Sequence, residues 1–236
     1  MDSIIHILYK MINDYEDIKQ LCDTCKEYQE YKKILSIKLN KEYSLEFYRN
    51  FQFRSIILSK IIDPYEQLSI DLSDCDEVVD VKYLNNLRSL DLSCCKNIID
   101  VRSLTNIHTL NLSNCNISDV STLGNCHILF LDRCKNITNV SALGKVTKLS
   151  LSHCHNLSDV SALGNVYDLC LCNCHSLYNV SLLINNYILI LRRCHNIDDF
   201  RSQTKIHTLD ISYCRINDLS MFKDVRNLIF DRYYNY

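Results

Sequence analysis

Leu149-Ser150-Leu151-Ser152-His153-Cys154-His155-Asn156-Leu157-Ser158-Asp159-Val160-Ser161-Ala162-Leu163-Gly164 is answered, twenty residues on, by Leu169-Cys170-Leu171-Cys172-Asn173-Cys174-His175-Ser176-Leu177-Tyr178-Asn179-Val180-Ser181-Leu182-Leu183. Both stretches keep leucine, leucine, cysteine, leucine, valine and leucine in the same places and exchange much of what lies between. The motif cysteine recurs at Cys75, Cys95, Cys115, Cys134, Cys154, Cys174, Cys194 and Cys214, at steps of twenty residues with one of nineteen. So short a unit cannot bury an apolar face alone, so the period implies copies stacked on one another.

With each ladder cysteine counted as zero, apolar residues fall at minus five and minus three, as in Leu90 and Leu92, Leu169 and Leu171, Leu209 and Ile211. That alternation is a half-buried strand. Beyond the cysteine come an aliphatic residue (Ile98, Ile137, Leu157, Leu177, Ile197), a valine (Val101, Val120, Val140, Val160, Val180) and a leucine (Leu104, Leu123, Leu143, Leu163, Leu183). Each valine stands fourteen residues before the next cysteine, so the missing residue after Cys115 lies in a turn and leaves the strand register intact. The period and the leucine, leucine, cysteine core predict an α/β leucine-rich repeat solenoid of about nine short repeats, with a parallel β-sheet on its concave face.

The 236 residues are 47% hydrophobic and 23% charged, with a formal net charge of -2. That balance fits a globular chain and offers no overall pull toward nucleic acid or an anionic membrane. The apolar start, interrupted by Asp2, His6, Lys10 and Asp14, lacks the layout of a secretory signal. We therefore expect an intracellular, cytoplasmic protein with neither nucleic acid nor membrane as partner. The 14 cysteines then read as small buried hydrophobes donating to backbone carbonyls, a reduced ladder and not a disulfide framework.

Asp80, Asp100, Asp119, Asp159, Asp199 and Asp218, with Asn139 and Asn179 in the same slot, precede the convex segment and are expected to cap a short turn there. Lys96, Lys135, His155, His175, His195 and Arg215 follow the ladder cysteines, so three histidines should stack along one rim; a straight stack does not converge on a metal. Cys22 and Cys25 have redox or zinc spacing but lie on an apolar helical face, and Cys170 and Cys172, beside Arg192, lack a base. No phosphate loop, nucleotide fingerprint or convergent catalytic set is present. We expect a non-enzyme with no cofactor and no metal.

Ahead of the repeats the periodicity is helical. Ile7, Leu8, Met11 and Ile12 form one apolar face, and Ile18, Leu21, Cys22, Cys25 and Tyr28 a second. Residues 34–66 look like an atypical first repeat: Leu35, Ile37, Leu39 and Asn40 repeat the strand motif with Asn40 in the cysteine slot, and Ser44 opens a helix to about Lys60 that Pro64 ends. The expected domains are a helical segment over 1–33, this capping unit over 34–66, and the solenoid over 67–236.

Asp17-Ile18-Lys19-Gln20-Leu21-Cys22-Asp23-Thr24-Cys25-Lys26-Glu27-Tyr28 resembles the second half of an F-box, and cysteine-type repeats like those downstream occur in F-box proteins with leucine-rich repeats. The resemblance covers about residues 4 to 35 and 67 to 233. It departs from the family in lacking a Leu-Pro opening and in carrying Tyr28 where tryptophan is usual. It implies that Ile7, Leu8, Met11, Ile18, Leu21 and Tyr28 face a Skp1-type adaptor of a cullin ubiquitin ligase, and that the repeats hold a substrate protein. Units such as Asp159-Val160-Ser161-Ala162-Leu163-Gly164 also resemble repeat proteins of large DNA viruses. Without that resemblance, the same helices simply cap the array.

Repeats copy their cores, so recognition is written in departures at exposed positions. Phe130, Arg133, Ile190, Arg192, Arg193 and Tyr213 break the serine, aspartate and asparagine pattern at minus four, minus two and minus one, and aromatic and arginine residues beside apolar ones are typical binding anchors. They form the expected partner-binding set. The last strand, with Tyr233 in the cysteine slot, either ends under a polar lid or leaves an edge that pairs two copies, giving a monomer or a weak edge-to-edge dimer.

Overall fold

The computed structural model describes residues 37–231 apart from 62, 196, 198–204 and 217. The F-box-like segment, Asp199 and the terminal Tyr233 lie outside the described residues.

Ten strands, β1 (Ile37–Lys38), β2 (Leu68–Asp71), β3 (Leu87–Asp91), β4 (Ile107–Asn111), β5 (Ile128–Phe130), β6 (Lys148–Ser150), β7 (Asp168–Cys170), β8 (Ile188–Ile190), β9 (Thr208–Asp210) and β10 (Asn227–Ile229), form one sheet in sequence order. Neighbours pair in parallel and like residues face like, Leu90 opposite Leu110, then Leu129 and Leu149. The one-residue deletion is absorbed before β5, since a slip in register would turn every leucine of a strand to solvent.

The core is a set of columns, one residue per repeat. The leucines at minus five and minus three, the aliphatic residue after the cysteine, and the valine and leucine of the convex side are almost fully buried, as Leu149, Leu151, Leu157, Val160 and Leu163 illustrate at 0–1% exposure. A further column eight residues before each cysteine holds Leu87, Ile107, Val146, Val166 and Ile206, with Cys126 in the same slot as a buried cysteine off the main ladder. Sequence reading did not separate this row from its loop. Asn186 is the polar exception in it, and its amide donates to the Leu163 and Val166 carbonyls at 2.9 and 2.6 Å.

The ladder cysteines Cys75 through Cys214 are free and buried. From Cys95 on, each thiol donates to the carbonyl of the minus-three residue of the preceding repeat, Cys95 to Leu72 at 3.0 Å, Cys154 to Leu131 at 3.3 Å and Cys214 to Leu191 at 3.0 Å. Burial pushes these thiols up, Cys95 to about 11 and Cys154 to about 12, so they stay protonated and act as donors. A second set of ties crosses the convex rim. Asn97, Asn116, Asn136 and Asn156 each donate to a backbone carbonyl one repeat back, Asn116 to Lys96 at 2.7 Å and Asn156 to Lys135 at 2.8 Å.

The convex side turns with single 3₁₀ segments at Leu123–Asn125, Ser141–Leu143, Ser161–Leu163 and Ser220–Phe222. A repeat of twenty residues has no room for a longer helix. The aspartate and asparagine row makes a local turn just ahead of the convex segment: Asp100, Asn139, Asp159 and Asn179 accept from the backbone N–H two residues on, at 2.8–2.9 Å, while the N-cap positions of the 3₁₀ segments, Val140 and Val160 among them, bring no side-chain capping bond.

The capping unit differs from expectation in four ways. Asn40 does not occupy the cysteine slot. It is the N-cap of α1 (Lys41–Arg49) and accepts from the Tyr43 N–H at 2.9 Å. The register of β1, Ile37 opposite Leu68, carries Leu39 opposite Ile70, so Ser44 takes the cysteine position by count and its hydroxyl accepts from the Asp71 N–H at 3.1 Å. Ser44 therefore lies inside a helix and opens none. The single expected helix is two, α1 and α2 (Phe51–Lys60), because Asn50 stops the first and caps the second. Pro64 does not end a helix but stands first in α3 (Pro64–Gln67), where its missing N–H costs nothing.

Gly124, Gly144 and Gly164 mark where convex turns touch. Although Gly144 has an ordinary helical φ of -64, a Cβ there would meet the carbonyl oxygen of Ala162 in the next repeat. Gly144→Ala, a change that ordinarily stiffens a chain to its benefit, is expected to cost about 1–3 kcal/mol of stability through this overpacking. Chemical denaturation checks it, and an unchanged midpoint would mean that the turns are not seated this closely.

Candidate partner-binding face

Side chains at minus six, minus four and minus two leave the sheet on its concave face. The strand pairing lines them up across the repeats, for example Ser150 beside Cys170 beside Ile190 beside Asp210. The minus-six row, absent from the sequence-derived set, adds Ile128, Lys148, Asp168 and Ile188. Its signal was in the sequence, but the strand was read as starting one residue pair too late. Ile128 and Phe130 on β5, and Ile188 and Ile190 on β8, are half-buried apolar side chains on the open side of the sheet. Two charged pairs stand among them. Lys148 Nζ meets the Asp168 carboxylate at 2.7 Å across β6 and β7, and the Arg192 guanidinium meets Asp210 at 2.6 Å.

Asp210 is only 2% exposed. Burial works against its charge, but hydrogen bonds from Ser212 and then from Arg192 outweigh it, holding the carboxyl below its ordinary value. Arg192 is thus tied along the sheet, its outer half left open to solvent.

The minus-one residues, expected on the strand face, are not in strand geometry at all. Asp74, Cys94, Asn114, Arg133, His153, Asn173, Arg193 and Tyr213 all have φ between 53 and 64. The chain turns left-handed there so that each of these N–H groups reaches the next repeat, Arg193 to the Ser212 carbonyl and Tyr213 to that of Asp231, at 2.9 and 2.8 Å. Aspartate and asparagine tolerate this conformation; arginine, histidine and tyrosine occupy it at a cost on the order of 1 kcal/mol each. Arg193 and Tyr213 lie together at the rim, the guanidinium 5.4 Å from the ring centroid. Of the expected set, then, the structure brings together Ile190, Arg192, Arg193 and Tyr213 on adjacent repeats, with Phe130 and Arg133 three repeats earlier. Ile7, Leu8, Met11, Ile18, Leu21 and Tyr28 lie outside the described residues.

Two rows of rings border this face. His155, His175 and His195 stack with planes within 8° and centroids 5.1 and 5.7 Å apart. Parallel planes at that spacing do not aim their nitrogens at one point, and among the described residues no group of three or more His, Cys, Asp or Glu is arranged to hold a metal. The opposite row, seven residues before each ladder cysteine, was missed in the sequence: His108 packs on His127 at 4.8 Å, Tyr167 on Tyr187 at 4.8 Å, and Tyr187 on His207 at 4.6 Å. A row of ring-bearing residues at a fixed count was legible there.

A leucine-rich repeat family model matches residues 83–100, 103–121 and 202–223. The body of this chain is a leucine-rich repeat solenoid. No curated protein matches the chain. Similar solved structures come from Listeria monocytogenes. Internalin C2 is 22% identical, with 72% of each chain covered and a TM-score of 0.45. Internalin inlF is 20% identical over 73% of this chain and 62% of that one, with a TM-score of 0.48. The functional domain of InlJ, described as including a cysteine ladder, is 20% identical over 67% of this chain and 36% of that one, with a TM-score of 0.51. Likeness at this identity concerns the fold alone. A leucine-rich repeat scaffold suits protein–protein interaction, and among the described residues no helix is long and apolar enough to cross a membrane.

Burial, and then the neighbouring Arg133, lower the imidazole of His153; burial, followed by Arg215 and His175, lowers that of His195, while Asp132 works weakly in the opposite direction on His153. A base whose folded value is depressed binds its proton less readily in the folded chain. Stability is therefore full above the unfolded value of about 6.5 and is lost as pH falls below it. We expect the melting temperature to drop between about pH 7 and pH 5, and the drop to shrink in His153→Asn/His195→Asn. Identical pH profiles for the two proteins would assign the loss to other groups.

Proposed function

We propose that this chain is an intracellular recognition module that holds a protein partner on the concave face of its solenoid, across repeats β5 to β9. The observation that carries this is the break in rows that from β2 to β9 are otherwise small, polar or charged: Ile128, Phe130, Ile188 and Ile190 are half-buried on the open side of the sheet, with Arg192, Arg193 and Tyr213 at their edge. Core columns repeat because packing demands it, whereas nothing in the fold requires arginine or tyrosine in a left-handed turn. Two apolar patches separated by charged pairs give a partner both anchors and orientation.

The N-terminal segment extends the proposal. Its F-box-like sequence, Asp17 to Tyr28, supports a role as substrate-recognition adaptor of a ubiquitin ligase, with Ile7, Leu8, Met11, Ile18, Leu21 and Tyr28 docking a Skp1-type protein. The near-identical repeat units support an origin in a large DNA virus.

The two halves separate experimentally. Arg193→Asn/Tyr213→Asn keeps residues suited to the left-handed turn, so the melting temperature should hold or rise, while capture of protein partners from eukaryotic extract should fall about tenfold, the effect of losing one or two anchors. Equal capture by both proteins would remove this face from recognition. Deleting residues 1–33 should abolish co-purification of Skp1-type and cullin subunits and leave the concave-face partners bound. A deleted protein that still brings down those subunits would defeat the adaptor role.

A further inference from the structure

On the concave face at β7, Cys170 and Cys172 bring their sulfurs within 3.4 Å of each other. Both belong to the open face and not to the buried ladder, and both are free and partly exposed. From this geometry we propose that Cys170 and Cys172 form a dithiol modification site, oxidised reversibly to a disulfide by hydroperoxides such as hydrogen peroxide. The proposal does not depend on which partner the face holds.

The two thiols are not equivalent. The Cys172 thiol and the Ser152 hydroxyl both lie within hydrogen-bonding reach of the Cys170 sulfur, at 3.4 and 3.2 Å. Donation from Cys172 favours the Cys170 thiolate and outweighs its burial, with Ser152 adding to the effect, so Cys170 loses its proton more readily than an ordinary thiol. Cys172, as the donor, is held protonated, and the positive charge of Arg192 is a minor influence on it. The activating group for Cys170 is therefore Cys172 and not the neighbouring Arg192. Cys170 is then the nucleophile and Cys172 the resolving thiol.

The chemistry closes with one peroxide. The Cys170 thiolate attacks a peroxide oxygen, the O–O bond breaks, and the departing hydroxide takes up a proton as water, leaving a sulfenic acid on Cys170. Cys172 sulfur then attacks the Cys170 sulfur, the S–O bond breaks, and that hydroxide leaves as water with the Cys172 proton. Together the two sulfurs lose two electrons, which the peroxide gains. Cys170 ends β7 and Cys172 follows two residues on, both on the open face, and an exposed bridge is of the kind that is readily reduced. The ladder cysteines do not compete. Their thiols are buried, committed to carbonyls and pushed up, Cys115 and Cys194 to about 12.

The test exposes the full, reduced chain at neutral pH to a small excess of hydrogen peroxide, followed by alkylation and tandem mass spectrometry. The expected product is lighter by two hydrogens, with fragment ions placing the bridge between Cys170 and Cys172, and dithiothreitol restores both thiols to alkylation. In Cys172→Ser, Cys170 should stop at the sulfenic acid and be trapped by dimedone. In Cys170→Ser, dimedone labelling of Cys172 should be about tenfold weaker, because a protonated thiol is a poor nucleophile. Recovery of both thiols unoxidised, a bridge from Cys172 to Cys174, or conversion to sulfinic acid without any bridge overturns the proposal, and the wild-type measurement decides this even if a variant fails to fold.

Discussion

Every column in this molecule depends on register. Parallel strands one repeat apart hold like residues opposite one another, so the sheet has a single alignment in which leucine meets leucine and the ladder thiol reaches the carbonyl above it. A slip by one residue would expose an entire leucine row. The thiol bond adds little energy by itself, since sulfur is a weak donor. Its contribution is a second hydrogen bond across the repeats, to carbonyls that at Leu92, Leu112, Leu131, Leu151 and Leu191 also accept from the N–H of their own repeat's ladder cysteine.

The same constraint governs the surface. A solenoid built by copying places identical ionisable groups on neighbouring rungs about 4.8 Å apart, and like charges at that distance repel. The chain meets this in different ways on its different rims. Lys148 faces Asp168 and Arg192 faces Asp210, pairing opposite signs across rungs. In the histidine row the rings stack face to face, and at His195 burial favours the uncharged imidazole. The Tyr167, Tyr187 and His207 row avoids the problem with face-to-face rings.

The body of the fold was legible because its signal is periodic. The cysteine count fixed the repeat, the alternation around it fixed the strand, and the invariant fourteen residues from valine to cysteine located the deletion in a turn. What escaped has a common cause. Asn40, Ser44 and Pro64 belong to a unit that occurs once, where no second copy reveals which residue occupies which slot, and local capping chemistry overrode the motif. The left-handed turn at minus one was hidden because arginine, histidine and tyrosine replace the asparagine that would announce it. Phe130, Ile190 and Arg193 could be named as departures from the consensus, but that Arg192 is bound to a buried Asp210 required coordinates, since a carboxylate eighteen residues away gives no sign of its burial in sequence.

Cysteine shows most clearly how position outranks residue type here. Cys154 and Cys174 are buried, donate to carbonyls and are held protonated, which makes them inert packing atoms. Cys170 and Cys172 lie four and two residues before Cys174, spacings that unbroken alternation would put on one face; the left-handed turn at Asn173 breaks the alternation and carries Cys174 into the core, while Cys170 and Cys172 stay on the open face, where each finds the other in place of a carbonyl. In the ladder, neighbouring thiols belong to different repeats and their hydrogens are already committed. On the open face both sulfurs belong to one repeat and one hydrogen bond joins them, so removing a proton from the acceptor is made easier by the donor beside it. One left-handed residue, Asn173, therefore separates a structural sulfur from a reactive one.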